Sequence, residues 1–536
     1  MRPIAYRFRV AISPAFARVG TGTLARRSRA TLARCQRSGQ CGLRERRLRA
    51  VAIAAMVAVM TGATLAAAET RPHYGGTLRV MLQSAPAALD LTANPANAPP
   101  ADYWDAARAL SLIGDTLIKL DAQSRPQPAL AVAWQSDSTA RHWQFTLRRG
   151  VKFHDGSAAS PAAIAQILGA LHPGWIVRPS ADSVSIESET AMRALLAELA
   201  LPRNLLFKRN ANGVPIGTGP FLVAEWQPGR LLKLAASEES WAGRPFVDAV
   251  EIEFGKSLRD QSVALELDKT DVIESAPQAA NPSQRRNSSS SSSSLPVELM
   301  ALVFSANSRA QDPRLREALA LAIDRKPIQS VLLKGAGEPA ASILPNWMTG
   351  YSAVFSAQAN PQRARTILAD SRQPALNLSY VLSYDPRDPQ AQLIAERIAL
   401  NAREVGITVQ VSLSGAEDVR LVRAVLPSPD PATSLTEAAR QLGLPQPQFP
   451  GTTRGNSLDD LYQAERSLLA SYAVIPLFHL PLASAASARV RDWEPGRLGQ
   501  WCEAGFSLAD VWLEDRRTGD SRTESRTDSS PRAGLR

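Results

Sequence analysis

The sequence predicts a mixed α/β protein arranged in two blocks. Stretches of strand-like alternation interleave with stretches of helical spacing, and several helix candidates open on a polar cap followed by proline. The pattern then restarts beyond a run of seven serines, Ser288 to Ser294. The strong positive charge belongs to a leader, which leaves a neutral body of ordinary globular composition, 45% apolar and 21% charged.

Of 536 residues, 61 are Lys or Arg and 50 are Asp or Glu. Residues 1–68 hold 13 Arg, no Lys and one acid, Glu45, so the remainder balances 48 bases against 49 acids. A neutral body lacks the cationic field that a phosphate backbone demands, which excludes a nucleic-acid partner. Only one segment approaches the ~20 apolar residues of a membrane span, which excludes a polytopic membrane protein. That segment lies in the leader. Arg44, Arg46, Arg47 and Arg49 precede the apolar run Ala50 to Met60, and Ala66 and Ala68 stand in small-x-small positions. This is a secretory signal peptide with cleavage near Ala68 and a periplasmic destination; the alternative is an uncleaved anchor over Ala50 to Ala68. Residues 1–43 extend further upstream than a signal peptide needs, as a mis-assigned start, a long n-region or an Arg-rich transit segment would. Cys35 and Cys41 fall in the leader, so Cys502 alone remains in the body, with no internal disulfide, and reads as a small core residue.

Along the body, Tyr74 to Leu82 is a Gly-Gly turn followed by a strand with Leu78, Val80 and Leu82 on one face. Residues 85–100 read as loop. Trp104 to Leu120 is a helix with a strand-like end, and Trp143 to Phe153 alternates as a strand with Trp143, like Trp134, in the core. His154-Asp155-Gly156 is a turn in which Gly supplies positive φ. Ser160-Pro161 caps a helix to about Ala170. A strand at Val184 to Ile186 and a helix from Ala191 to Leu201 follow. Gly217-Thr-Gly-Pro then turns into a strand through Trp226, with further strands at Leu231 to Ala235 and Val250 to Phe254. Pro277 to Pro296 reads as a flexible Ser-rich linker that buries nothing. Beyond it come a strand at Leu299 to Ser305, a helix capped by Asp312-Pro313, helices at Pro361 to Ala369 and Gln390 to Val405, and a strand at Ile407 to Val411 after the C′ glycine Gly406. A helix at Leu458 to Ala470 and a strand at Val474 to Leu480 close the pattern. The tail from Arg516 is polar and reads as disordered.

Several of these segments together resemble the family 5 extracellular solute-binding proteins of ABC importers, the oligopeptide, dipeptide and nickel-binding proteins. Trp143-x-Phe145-x-Leu147-Arg148-x-Gly150-Val151-Lys152-Phe153-His154-Asp155-Gly156 is similar to the family signature almost letter for letter. Pro128 to Trp134 resembles the approach to it, and Pro215 to Phe221 with Glu225-Trp226-x-Pro228-Gly229 a second block. Asp312 to Arg325, Ala395 to Val411 and Val474 to His479 resemble later blocks, in the family's order.

The resemblance implies an α/β, two-lobed periplasmic-binding-protein fold of type II (a Venus flytrap) with mixed sheets flanked by helices. Lobe one would comprise 69–296, including the linker at 277–296, and a return over 485–515. Lobe two would be 297–484, and 516–536 the disordered tail. It further implies a monomer without cofactor or metal that closes on a peptide or similar small solute and delivers it to a membrane permease complex. A sensor presenting its ligand to a chemoreceptor, and a non-binding scaffold, are the alternatives. Peptide-binding relatives hold the ligand's amino terminus with an Asp placed after a Gly-Trp pair and just before an Asp-Pro step. Here the step is Asp430-Pro431, but Ala424 and Pro427 stand where the Trp and the Asp would be. Asp430 is therefore the candidate substitute. Ala163 replaces a family Asp, and the stretches 156–215 and 412–456 are short, which implies a smaller ligand than an oligopeptide.

Catalysis finds no support. His73, His142, His154, His172 and His479 show no HExxH spacing, and no G-x-S-x-G occurs. Aromatic residues beside turns complete the ligand-binding candidates: Trp226, Trp347, Tyr384 and Trp501.

Overall fold

The computed structural model describes residues 72–514 apart from 92–99, 277–288, 307, 310, 352, 371–378, 414–416, 450–456, 495–497, 500, 501, 504 and 505. The leader, its cleavage site, Trp501 and the C-terminal tail lie outside the described residues.

One mixed sheet of eleven strands organises the fold. In chain order these are β1 (Thr77–Met81), β2 (Phe221–Gln227), β3 (Leu231–Ala236), β4 (Ala249–Glu253), β5 (Val272–Glu274), β6 (Ser289–Phe304), β7 (Glu338–Pro339), β8 (Ser379–Ser383), β9 (Thr408–Val411), β10 (Val419–Val425) and β11 (Val474–Ser487). Their spatial order is β2-β3-β4-β1-β5-β11-β6-β10-β8-β9, with β7 paired to β11. β1 runs parallel to β4 and β5, and β8 runs parallel to β9 and β10. The central strands β5, β11, β6 and β10 pair antiparallel.

The main helices are α1 (Pro100–Ile113), α2 (Pro161–Leu171), α3 (Leu258–Glu266), α4 (Pro313–Ala322), α5 (Pro361–Ala369), α6 (Pro389–Glu404), α7 (Pro431–Gln441) and α8 (Leu458–Leu469); all but α2, which packs on a separate four-stranded sheet, flank this one. The capping reading explains where several start. Ser160, Asp312 and Asp388 each accept a backbone N–H in the first turn, directly before a proline. Gly406 ends the α6 segment at φ +96°. The apolar residues gather into separate cores. One joins Leu78, Leu110, Ile252 and Val272 with Ala486 and Val511. Another joins Met300, Leu319, Ile394 and Phe478.

The signature segment is structural. Its strand belongs to a separate four-stranded sheet, where Trp143 and Phe145 are buried and stacked, with Trp134 packed alongside. Phe153 to Gly156 is a tight turn with Gly156 at φ +79°. The His154 backbone N donates to Gly217 O, its Nε2 to Gly219 O, both at 2.9 Å, and burial holds the ring below the usual histidine range. The two glycines are required because the backbone of Ile113 lies against them. An added Cβ would sit 2.0 Å from Ile113 O at Gly217 and 2.7 Å from Ile113 C at Gly219.

Three readings of the sequence need revision. Ser289 to Ser294 is the first part of strand β6 rather than linker, paired with Ser487 to Ala483 of β11. Serine composition supplies no apolar face, but the backbone of β11 offers a ready ladder and decides the conformation. The helix expected from Ala191 is confined to Leu195–Leu199, because the Met192 N–H is drawn to Ala140 O at 2.7 Å. Strands β5, β8 and β10 and helices α3 and α7 were not anticipated.

Gly217→Ala is expected to cost about 2–3 kcal/mol, the upper part of the overpacking range, because backbone rather than a movable side chain lies in the way. Gly169→Ala, in helix α2 with no atom within 4 Å of the added Cβ, should instead raise stability by up to ~1 kcal/mol. Urea unfolding of both variants checks the pair.

Candidate functional site

A cavity of about 620 Å³ lies where the parallel strands of both ends of the sheet point their carboxyl termini toward the central pair. That volume is ordinary for a small-molecule site, and carboxyl ends of parallel strands are where α/β sheets place ligands. Gln83 and Ser84 follow β1, Glu274 ends β5, and Tyr384 and Asp385 follow β8. The floor comes from the central strands, through Ser292, Ser294 and Glu298 of β6 and Pro481 to Ser484 of β11. At this level Pro296 faces Pro481, and the register shifts on both sides of Pro296. Neither proline can donate to the ladder, so the interruption is built into the sequence.

The charged lining is organised around shared guanidiniums. Arg423 of β10 bridges Glu298 at 2.8 Å and Asp388 at 2.7 Å. Burial opposes its charge, but the two carboxylates hold it protonated above the ordinary arginine range. Asp388 also caps α6 through the Gln390 and Ala391 N–H groups, which ties the helix entry to this cluster. Arg387 bridges Asp385 at 2.8 Å and Asp102 of α1 at 2.9 Å. Its bond to Asp385 raises it above the arginine range; burial opposes Asp385's charge, but Arg387 holds that carboxyl below its own usual range. Asp105 pairs with Arg108 at 2.9 Å and accepts from Ser84, yet burial still pushes it up. Glu274 is pushed up to about 7, by burial first and then by the charge of Asp105.

Of the candidates named from the sequence, Tyr384 lines the cavity, while Trp226, Trp347 and Asp430 do not. Trp226 packs edge-on to Phe254 against the first core. Trp347 is 36% exposed and donates through Nε1 to Pro296 O at 2.8 Å. Asp430 caps α7, its carboxylate accepting from the Thr433 N–H and hydroxyl at 2.9 and 2.6 Å. Ala424 is fully buried in strand β10, and Pro427 lines a separate cavity of about 50 Å³ together with Ser428 and Asp115. The main lining residues missed by sequence reasoning are Glu274, Glu298, Arg387, Asp388 and Arg423. The Asp385-Pro-Arg-Asp-Pro389 run, a charged turn between a strand and a proline-opened helix, was the readable signal for two of the five, Arg387 and Asp388.

A sheet crossed by two long central strands, with a polar cavity at their break, is the architecture of periplasmic binding proteins. A search against family models matches residues 176–425 to the bacterial extracellular solute-binding proteins, family 5 middle. Over that stretch, 250 of its 536 residues, the chain is similar to this family. Among characterised relatives, the nickel-binding periplasmic protein of Escherichia coli K12 is 25% identical over 357 residues, 58% of this chain and 67% of that protein. Two solved structures superpose with a TM-score of 0.68 at 19% identity, each covering 82% of this chain. One is the binding protein AgaA of A. tumefaciens R10 in complex with agropinic acid, covered over 99% of its length. The other is the dipeptide-binding protein of Pseudoalteromonas sp. SM9913 in complex with Met-Leu, covered over 100%.

Arg423→Met leaves Glu298 and Asp388 facing each other without a counter-ion. The expected loss at neutral pH is roughly 2–3 kcal/mol, below the ~3–5 of a fully buried pair because the group borders the cavity. Part of it should return under acid, as the carboxylates protonate. The more exposed Arg420, 4.0 Å from Glu417, should cost under ~1 kcal/mol when replaced by Met. Denaturant titrations at two pH values compare them.

Proposed function

We propose that this chain is the extracytoplasmic substrate-binding component of an ABC importer, which captures a peptide or similar small solute in the 620 Å³ cavity and delivers it to a membrane permease by hinge closure. The observation that carries the reading is the position of the cavity, at the proline break between two separately packed cores. We assign lobe one to 69–296 with a return from 485, lobe two to 297–484, and a monomeric, periplasmic state after cleavage near Ala68. The core membership supports this division: the first core, apart from Val425, draws on 78–272 and 486–513, the second on 300–480. Among the described residues no helix is long and apolar enough to cross a membrane. The two solved neighbours hold agropinic acid and Met-Leu, and the cavity volume suits solutes of that size. None of the five histidines lines the cavity, which favours an organic solute over a histidine-held metal.

Closure has a physical basis away from the ligand as well. Besides Arg387–Asp102, Arg203 pairs with Glu437 of α7, and Arg440 of the same helix donates to the Tyr103 hydroxyl of α1 at 3.1 Å. Glu437 is 3% exposed on its side chain, so this latch is desolvated and favours the closed form.

Native mass spectrometry of residues 69–516, before and after denaturation and refolding, should show an extra mass of a few hundred daltons that refolding removes. A clean mass throughout, with no thermal shift from dipeptides, amino acids, opines or sugars, would sink the binding reading. N-terminal sequencing of the exported protein should begin at Glu69. Arg203→Met should weaken ligand binding roughly five- to tenfold through faster release, about 1 kcal/mol of lost closure, without altering which ligand is bound. Stopped-flow dissociation measures it.

A further inference from the structure

The lining of the cavity is unbalanced, with six carboxylates against four guanidiniums and no lysine or histidine. Five of the six carboxylates have an arginine nitrogen within 4.0 Å. Glu274 has none. It ends β5, opposite Ser484 of β11. Its carboxylate is held in place from two sides: Oε2 accepts from the Gln83 N–H at 2.6 Å and from Gln261 Nε2 at 3.4 Å, and neither bond uses Oε1. Gln261 also accepts the Glu274 N–H at 2.8 Å, so one glutamine fixes both its backbone and its side chain. Gln261 is fully buried in α3 and donates to Lys256 O as well, which fixes its own orientation. A carboxylate fixed this way, at a cavity wall and with no arginine bridging it among the described residues, is prepared for a cation that arrives with the ligand.

We propose that the solute carries a protonated amine and that Glu274, held by Gln261, is the carboxylate that receives it. The inference rests on the cavity being the binding site. It places the cation anchor on the lobe-one wall, whereas the resemblance placed it at position 427, which is proline and borders a different cavity. The charges facing Glu274 are Asp105 and Arg108, both from α1. Gln83 after β1, Gln261 on α3 and Ser484 on β11 contribute none. In the empty site a proton takes the place of the cation, since burial and Asp105 push Glu274 up to about 7. Raising the pH through that range therefore removes the competing proton, and ligand binding releases it. The empty protein has the opposite sign. Its stability is greatest below the ordinary glutamate range and falls as pH rises toward and through about 7, because the folded state holds the proton more tightly than the unfolded chain.

The test uses residues 69–516, an enzymatic casein hydrolysate below 500 Da, and the same hydrolysate after exhaustive acetylation of its amines. Native mass spectrometry reads what is captured. The expected result is capture from the first mixture only, lost at least tenfold in Glu274→Gln. For a captured dipeptide, affinity should rise roughly three- to fivefold from pH 6 to pH 8 in the native protein, the gain being limited because the peptide's own amine loses its proton near 8, and should not rise in Glu274→Gln. That variant keeps the acceptor for Gln83 N–H and removes a buried charge, so its melting temperature at pH 8 should not fall. Glu274→Asp should restore part of the pH dependence. Equal capture from both mixtures, or undiminished capture by Glu274→Gln, overturns the amine proposal and leaves the binding function standing. Capture of neither, with a neutral sugar or dicarboxylic acid shifting the melting temperature, also overturns it alone. Only failure of every probe reaches the binding function itself.

Discussion

The fold depends on one antiparallel ladder. β6 carries the chain from the first core to the second and β11 brings it back, so these two strands must satisfy one another's backbone groups across the gap. Pro296 and Pro481 stand opposite each other in that ladder, and both lack the N–H that would continue it. The freed Pro296 carbonyl is taken by Trp347, whose indole keeps the break defined rather than frayed. Motion between the two cores therefore has a natural place to occur, where few ladder bonds must break. Serine on one side of the break serves the same end. Ser292 and Ser294 are small and polar, so they floor a cavity without filling it, and Ser294 Oγ accepts the Leu482 N–H at 2.9 Å beside the interruption.

Around that break the protein must keep charged groups next to an apolar interior. The desolvation cost of single ions is severe, and sharing each guanidinium between two carboxylates meets it with few residues. Arg423 serves Glu298 and Asp388, and Arg387 serves Asp385 and Asp102. Asp388 gains further support from the amide groups at the start of α6. The arrangement is rigid, yet it leaves each cluster with an acid in excess.

Much of this architecture was legible in the chain. Proline after a polar cap marked α2 and α4, Gly406 marked the end of the α6 segment, and the signature from Trp143 to Gly156 identified the family. These signals are local, since cap, turn and alternation are chemistry within a few residues. The cavity was legible only at Tyr384 and, in part, in the charged turn before α6. Glu274 ends a strand of three residues, too short for periodicity to register, and its partner Gln83 lies 191 positions away. The serine run misled because composition reports what side chains can bury, whereas its strand is dictated by the backbone of β11. Asp430 misled for a related reason. An Asp-Pro step is both a family landmark and an ordinary helix start, and Thr433 shows that here it is the second.

The departures at 424 and 427 and the carboxylate at 274 fit one physical account. Ala424 is buried in β10, where a tryptophan would have to displace core. Pro427 borders the small cavity that also contains Asp115, whose carboxylate already accepts from Thr218 and Trp241. An aspartate at 427 would bring a second negative charge toward that one and would have no route to the large cavity floored by β6 and β11. Positions 424 and 427 are thus committed to packing rather than to the large cavity. On the opposite wall Glu274 is held in position yet, among the described residues, bridged by no arginine, with Arg108 acting on it only at longer range; fixed geometry, limited solvent and an unbridged carboxylate are what a cation-binding group needs.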